Sequence, residues 1–422
     1  MRALLEESFR AAVAAADPAR ILAPALPAPP KGRTFVAAVG KAAASMAAAL
    51  EAKWPADAPL EGIALTRYRH AVPTRRIRVI EAGHPVPDAA GEAGAREILA
   101  AAGALGADDL LIALISGGGS SLLALPLEGL SMDDLKTVTA QLLKSGAPIE
   151  DINTVRKHLS AIQGGRLAAA CRAPVRALII SDVTGDAPTH IASGPCAPDP
   201  TSFDDAVAVL AKHRVAPPAA IAAFLARGAA GAVPETPKPG TPLLAHAENR
   251  VIATAHRSLE AAAETFRAAG LTPVILGDTV TGEARDVAKV MAALVREIRG
   301  YRAPFAPPVA LISGGECTVT IAGEGGRGGR CSEFLLALAL ELDGVDGVAA
   351  LAADTDGIDG SEDNAGAVLV PDSLARARAL GLDAARSLAA HDSYGFFAAL
   401  GDLLVTGPTY TNVNDYRAIL VG

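Results

Sequence analysis

A chain of 422 residues with a formal net charge of -8 and half its residues apolar is too long for one ordinary core and too acidic for a partner that presents a nucleic-acid backbone. Aromatics make up only 4%, so the core must be built from Ala, Val, Leu and Ile, which suits parallel strands between small-faced helices. Four dispersed cysteines, Cys171, Cys196, Cys317 and Cys331, argue against a disulfide framework, and no stretch approaches the roughly 18 apolar residues that span a bilayer.

In chain order, segment 1–20 carries Glu6, Glu7 and Asp17 and lacks the apolar core of a signal peptide, so a soluble, cytoplasmic chain with no membrane partner is expected. Apolar runs at 35–39, 110–115 and 177–180 then stop abruptly at Gly40, Ser116 and Ser181. A second series at 274–276, 309–312 and 348–353 stops at Gly277, Ser313 and Asp354. Ala-rich helical patterns lie between them, as at 93–102 and 284–298. The alternation predicts an α/β fold of the doubly wound, parallel-sheet kind, whose ligands lie beyond the carboxyl ends of the strands. Pro234, Pro237, Pro239 and Pro242 mark 231–242 as the linker and divide the chain into domains at 1–235 and 240–422. The string L-I-S-G-G ends a run in each half, at 114–118 and 311–315.

The turn Ser116, Gly117, Gly118, Gly119, Ser120, Ser121 follows a buried strand directly, and its glycines let backbone amides converge on one point. With a helix starting nearby, that turn suits phosphate or carboxylate. Gly314, Gly315 and Glu316 form a comparable turn ending in an acid. Lys41 heads an Ala-rich helix, and Arg330 follows the glycine-rich stretch 323–329, where its planar fork could hold an anion. Acidic strand ends at 181–186 and 354–360 offer oxygen ligands for magnesium. The G-x-x-x-x-G-K-[ST] loop, the protein-kinase signatures and the G-x-G-x-x-G dinucleotide fingerprint are all absent.

Together these segments resemble the type II glycerate kinases, whose C-terminal domain is called MOFRL. The resemblance is carried by V-G-K-A-A at 39–43, G-H-P-V-P-D at 83–88, S-G-G-G-S-S at 116–121, N-T-V-R-K-H-L-S at 153–160 and S-D-V-T-G-D at 181–186. It continues through I-A-S-G-P at 191–195, G-E-A-R at 282–285, S-G-G-E at 313–316, D-T-D-G-I-D-G at 354–360 and T-G-P-T-Y-T-N-V-N-D at 406–415. It implies a larger N-terminal Rossmann-like parallel sheet, a smaller C-terminal MOFRL-type α/β domain and an active site in the cleft between them. It also implies ATP and magnesium as cofactors, with D-glycerate phosphorylated at its 2-hydroxyl. A departure stands at Cys331 and Ser332, where the family commonly has Asn and Gln.

On this reading Lys41, Arg330 and Asp186 are catalytic, and Lys41, His84 and Arg330 hold the substrate. The nucleotide phosphates fall to residues 116–121, Asp182, Gly185, Ser193, Gly314, Gly315 and Glu316, and magnesium to Asp186 and Asp356. Either Asp186 or Asp356 can accept the proton of the attacking hydroxyl. A nicotinamide-linked hydroxypyruvate reductase and a non-enzymatic anion-binding module are the competing readings. The partners expected are small molecules and no nucleic acid, and a homodimer is the assembly to test for.

Overall fold

Two six-residue strands, β1 (Thr34–Val39) and β4 (Leu110–Ile115), are buried at every position, as strands covered on both faces must be. In the computed structural model, which describes residues 1–321 and 325–422, they form the middle of a six-stranded sheet within the compact unit Pro18–Ile252. The other strands are β2 (Leu60–Arg67), β3 (Ile77–Ala82), β5 (Val175–Ile180) and β6 (Ala247–Ala253), in the order β3-β2-β1-β4-β5-β6. Strands β1 to β5 pair in parallel. The order reverses between β1 and β4, where crossovers leave to opposite sides and open a crevice at the carboxyl ends. Val39 lies opposite Ile115, so the turns after these two strands begin level with one another.

Alanine governs the packing around this crevice. Helix Ala43–Lys53 buries Ala43, Ala44 and Ala47, which lets its backbone sit close to the sheet. Helix Ala89–Gly103 is capped by Asp88, which accepts from the Gly91 amide. A satellite layer, helices Met132–Lys144, Ile149–Leu159, Phe203–Lys212 and Ala219–Ala229, shares its own core of Val138, Val155, Phe203 and Phe224. Two of these helices open with Ser-x-x-Asp capping boxes, at Ser131 with Asp134 and at Ser202 with Asp205, each worth about 1 kcal/mol.

The proline-rich stretch is not a linker. Glu235 accepts from the Phe203 amide, Thr236 donates to Asp199, and the Asp199 amide donates to Pro237. Asp199 also meets Lys157 at 2.6 Å, both side chains fully buried. The four prolines therefore stiffen a segment folded into the first unit, and the chain leaves that unit only at the end of β6, after Ile252. The domain boundary expected at 235–240 moves accordingly.

The second compact unit joins Met1–Asp17 to Ala253–Gly422. Helix Arg2–Ala14 belongs here because Leu5, Phe9 and Ala12 share a core with Leu259, Ala262 and Phe266 of helix Ala255–Ala268. Its strands are β7 (Thr272–Gly277), β8 (Gly282–Glu283), β9 (Val309–Ser313), β10 (Cys317–Thr318), β11 (Val348–Asp354), β12 (Gly366–Leu369), β13 (Leu403–Leu404) and β14 (Asp415–Val421). Strands β8 and β10 form a small parallel pair, and the others a sheet in the order β13-β12-β11-β14-β9-β7. Only β7 with β9 is parallel in the larger sheet; β14 runs antiparallel to both β9 and β11, which it separates. The all-parallel pattern expected from the alternation of strand and helix thus gives way to a mixed sheet, because the last strand inserts between two strands that the periodicity would place side by side. No helix among the described residues is long and apolar enough to cross a membrane.

Candidate functional site

The first unit brings the turns after β1 and β4 into direct contact. The Lys41 amide donates to the Gly117 carbonyl at 2.8 Å, and the Ala42 amide donates to the Ser116 hydroxyl at 3.0 Å. Gly40 and Ser116 touch so closely that a Cβ on Gly40, whose φ is 116°, would stand 2.3 Å from Ser116 Oγ. At Gly118, with φ of 79°, an added Cβ would lie 2.8 Å from His84 Nε2 and 3.3 Å from Lys41 Cγ. Lys41 and His84 are therefore neighbours over one bare stretch of backbone, where a ligand can approach the main chain. Ser120 extends the group, since its Oγ lies 2.8 Å from Ser193 Oγ. Ser193 in turn donates to Asn153 Oδ1 at 3.1 Å, and Gln163 Nε2 donates to the Ser120 carbonyl at 2.8 Å.

Arg156 reaches the same network from helix Ile149–Leu159, through a 3.3 Å bond from Nη1 to Asn153 Oδ1. Burial pushes its pKa down to about 10. The segment 153–160 carries the family resemblance in sequence but gives no role to Asn153 or Arg156, and Gln163 lies beyond it. A polar triad at 153, 156 and 160 recurs at helical spacing and could have been read as one face turned toward the glycine turn.

In the second unit the turn after β9 sits among arginines and acids. Arg330 presents Nε to Asp415 at 2.7 Å, Nη2 to Asp354 at 2.7 Å and Nη1 to Glu316 at 3.0 Å. Burial alone would lower its pKa, but the charges of Asp415, Asp354 and Glu316 raise it well above the ordinary arginine value. Arg417, also buried, meets the other oxygen of Asp415 at 3.1 Å and donates to Ser313 Oγ. The acids Asp354 and Asp415, one ending β11 and one opening β14, are thus drawn together by one guanidinium. Arg285 and His391 similarly share the buried Glu333, at 2.6 and 3.0 Å.

The altered pair lies inside. Cys331 and Ser332 are fully buried at the start of helix Arg330–Leu342, and their amides donate to Asp359 at 3.0 and 2.8 Å. The Ser332 hydroxyl donates to the same carboxylate at 2.7 Å, so Asp359 caps the helix that carries Arg330. Burial raises the Asp359 pKa despite these bonds.

Of the residues singled out by sequence, Lys41, His84, residues 116–121 and Ser193 converge in the first unit, and Gly314, Gly315, Glu316 and Arg330 converge in the second. Asp182, Gly185 and Asp186 lie in the turn after β5, where the Asp186 amide donates to Val183 and its φ is 54°. The Asp186 side chain, half-buried, meets no hydrogen-bond donor or cation among the described residues. Asp356 is buried and accepts the Ile358 amide at 2.9 Å. Among the described residues no three His, Cys, Asp or Glu side chains are arranged to hold a metal ion by themselves. Gly323 of the glycine-rich stretch falls outside the described residues.

Comparison with known proteins bears on all of this. A family model described as a domain of unknown function, DUF4147, matches residues 4–226, and one described as the MOFRL family matches 309–415. The chain is 52% identical over 423 residues to a protein of Agrobacterium vitis with the provisional name hydroxypyruvate reductase, covering 100% of this chain and 94% of that one. It is 40% identical over 393 residues to the glycerate 2-kinase of Pyrococcus horikoshii, covering 93% of this chain and 88% of the relative. The crystal structure of the Thermotoga maritima glycerate kinase superposes with a TM-score of 0.85 at 37% identity, over 99% of each chain.

Proposed function

We propose, for a chain that belongs to the glycerate kinase family, that it transfers the γ-phosphoryl group of ATP to the 2-hydroxyl of D-glycerate, giving 2-phosphoglycerate and ADP. The observation that carries this reading is the joining of the β1 and β4 turns at the point where the strand order reverses, with Lys41 and His84 over Gly118. Phosphoryl transfer asks a protein for positioning and for charges that match the moving phosphoryl group, more than for covalent help. Lys41 supplies a cation beside a bare backbone, and residues 116–121 supply the amides and hydroxyls that cradle oxygens.

Magnesium fits the donor chemistry of Asp186 better than that of Asp356. The Asp186 carboxylate is half-buried and unengaged among the described residues, whereas Asp356 is buried and already accepts a backbone amide. Such an ion takes most of its ligands from phosphate and water and neutralises phosphate charge when bound. Asp186 is also the more accessible of the two candidate bases. Arg330 faces three carboxylates, so it serves the reaction by holding Asp354, Asp415 and Glu316 in place and by offering its remaining N–H groups to a phosphoryl oxygen.

The test is an incubation with ATP, magnesium and D-glycerate, read through enolase and pyruvate kinase with correction for the ADP formed. Signal that requires glycerate supports the reading, and ATP binding without such signal sinks it in favour of another hydroxy acid. NADH oxidation with hydroxypyruvate, run in parallel, decides whether the reductase name of the Agrobacterium relative applies to this chain.

A further inference from the structure

A cavity of about 220 Å³ opens in the first unit beside the glycine turn, its mostly apolar wall broken by Ser120, Ser121, Lys136, Thr139, Arg156 and Gln163. Ligand sites for drug-sized molecules run to about 300–1,000 Å³, so this one suits a compact ligand or part of a larger one. Arg156 shares this lining with Lys136, and half-buried Arg156 is held in a way that differs from the other paired arginines described above. Arg285 meets Glu333, Arg417 meets Asp415, and Arg330 meets three acids. Arg156 meets only the neutral carbonyl oxygen of Asn153, at 3.3 Å, and no carboxylate within ion-pair reach among the described residues.

The neutral partner is fixed in turn. Asn153 and Ser193 are almost fully buried, Asn153 Nδ2 donates to the His190 carbonyl at 3.3 Å, and Ser193 bridges from Asn153 Oδ1 to Ser120 Oγ. Three side chains, Asn153, Ser193 and Ser120, therefore orient one guanidinium against the turn without neutralising it. A cation drawn partly out of water is disfavoured unless an opposite charge joins it, and here no group among the described residues supplies that charge. The burial that lowers the Arg156 pKa to about 10 agrees with this reading. Arg166, whose Nε and Nη2 are buried without hydrogen-bond partners, lies in the fields of Glu235 and Asp199 and lacks this isolation.

Resting on the kinase reading above, we propose that Arg156 binds a substrate oxyanion, either the glycerate carboxylate or a nucleotide phosphate, in the cavity against Ser120 and Ser121. Asn153 and Ser193 are positioning residues that act through it. The experiment is steady-state kinetics of wild type, Arg156→Gln, Arg156→Lys and Asn153→Asp, with the KM for D-glycerate and for ATP measured separately. A charge-assisted bond lost from a desolvated site should raise one KM by about tenfold to a hundredfold in Arg156→Gln. A rise for glycerate identifies the carboxylate, and a rise for ATP identifies the phosphate. Asn153→Asp places a carboxylate against the guanidinium and should raise the same KM with Arg156 still in place, whereas Arg156→Lys should recover part of the loss. Both KM values within about threefold of wild type in Arg156→Gln and Asn153→Asp would overturn the proposal.

The same variants are read by thermal shift against D-glycerate, magnesium-free ATP and inorganic phosphate, which separates this proposal from the kinase reading. A wild type that lacks glycerate-dependent turnover, yet is stabilised by one of these anions through Arg156, leaves the anion site standing and removes the reaction. Anion-dependent stabilisation that is equal in wild type and Arg156→Gln removes the site, whatever the turnover.

Discussion

The string L-I-S-G-G closes a buried strand in both units, at 114–118 and at 311–315, and the two copies have opposite electrostatic surroundings. In both, the second glycine adopts a positive φ, 79° at Gly118 and 97° at Gly315. In both, the serine hydroxyl accepts a bond that ties the turn to its neighbour: Ser116 from the Ala42 amide, Ser313 from Arg417. Beyond that the copies part. The first is flanked by Lys41, His84 and an arginine held by a neutral amide. The second is flanked by two arginines already engaged with Asp354, Asp415 and Glu316. The shared string sets the turn, and the residues brought to it by the sheet decide which charge it welcomes. The first turn gathers basic side chains, and the second gathers acids around its arginines.

The contrast can be broken most severely at Lys41. Lys41→Ala removes a cation from the first turn while leaving the bond from the Lys41 amide to Gly117, and should reduce kcat by about a hundredfold to a thousandfold with the fold retained by circular dichroism. Near-normal turnover would take Lys41 out of the mechanism. Arg330→Ala attacks the other side. It leaves Asp354 and Asp415 together without their shared cation, and the unit should lose about 3 kcal/mol, a melting shift of several degrees. Arg156→Gln should by contrast cost almost nothing in stability, because it removes a charge that had no counter-charge to lose. Equal melting losses in the two arginine variants would erase the distinction between the turns.

Smaller effects sharpen the picture around each turn. Ser332→Ala withdraws a hydroxyl from Asp359 and should cost about 1 kcal/mol by chemical denaturation, loosening the start of the helix that carries Arg330. In the first unit, burial holds the His158 pKa below its ordinary value, so the unfolded chain binds its proton first as pH falls. The resulting stability is complete above the unfolded value of about 6.5 and is lost as pH drops through the folded value. A melting temperature that falls between pH 7.5 and 5.5 in wild type, and falls less in His158→Asn, is the expected result.

Much of this was legible in residue order. Apolar runs ending in Gly, Ser or Asp marked the strands and placed Lys41, residues 116–121, Gly314 and Gly315 just beyond them, because a buried parallel strand must end where polar groups regain water or partners. What stayed hidden depends on contacts distant in sequence. The linker reading failed because prolines that stiffen a free segment look the same as prolines packed through Thr236 on Asp199. Strand β14 inserts antiparallel between β9 and β11, and no local pattern encodes that position. Arg156 gains a role only from its surroundings, because the lack of a carboxylate beside it among the described residues is not written in its sequence neighbours. The buried Cys331 and Ser332 show the same limit: their place in the motif was plain, their packing against Asp359 was not.

The most direct test of the central claim is the phosphorus NMR spectrum of the product formed from ATP and D-glycerate. Phosphate on the 2-hydroxyl couples to a single carbon-bound proton and gives a doublet, which is the expected result; a triplet from phosphate on the terminal carbon, or no new ester signal at all, would contradict it.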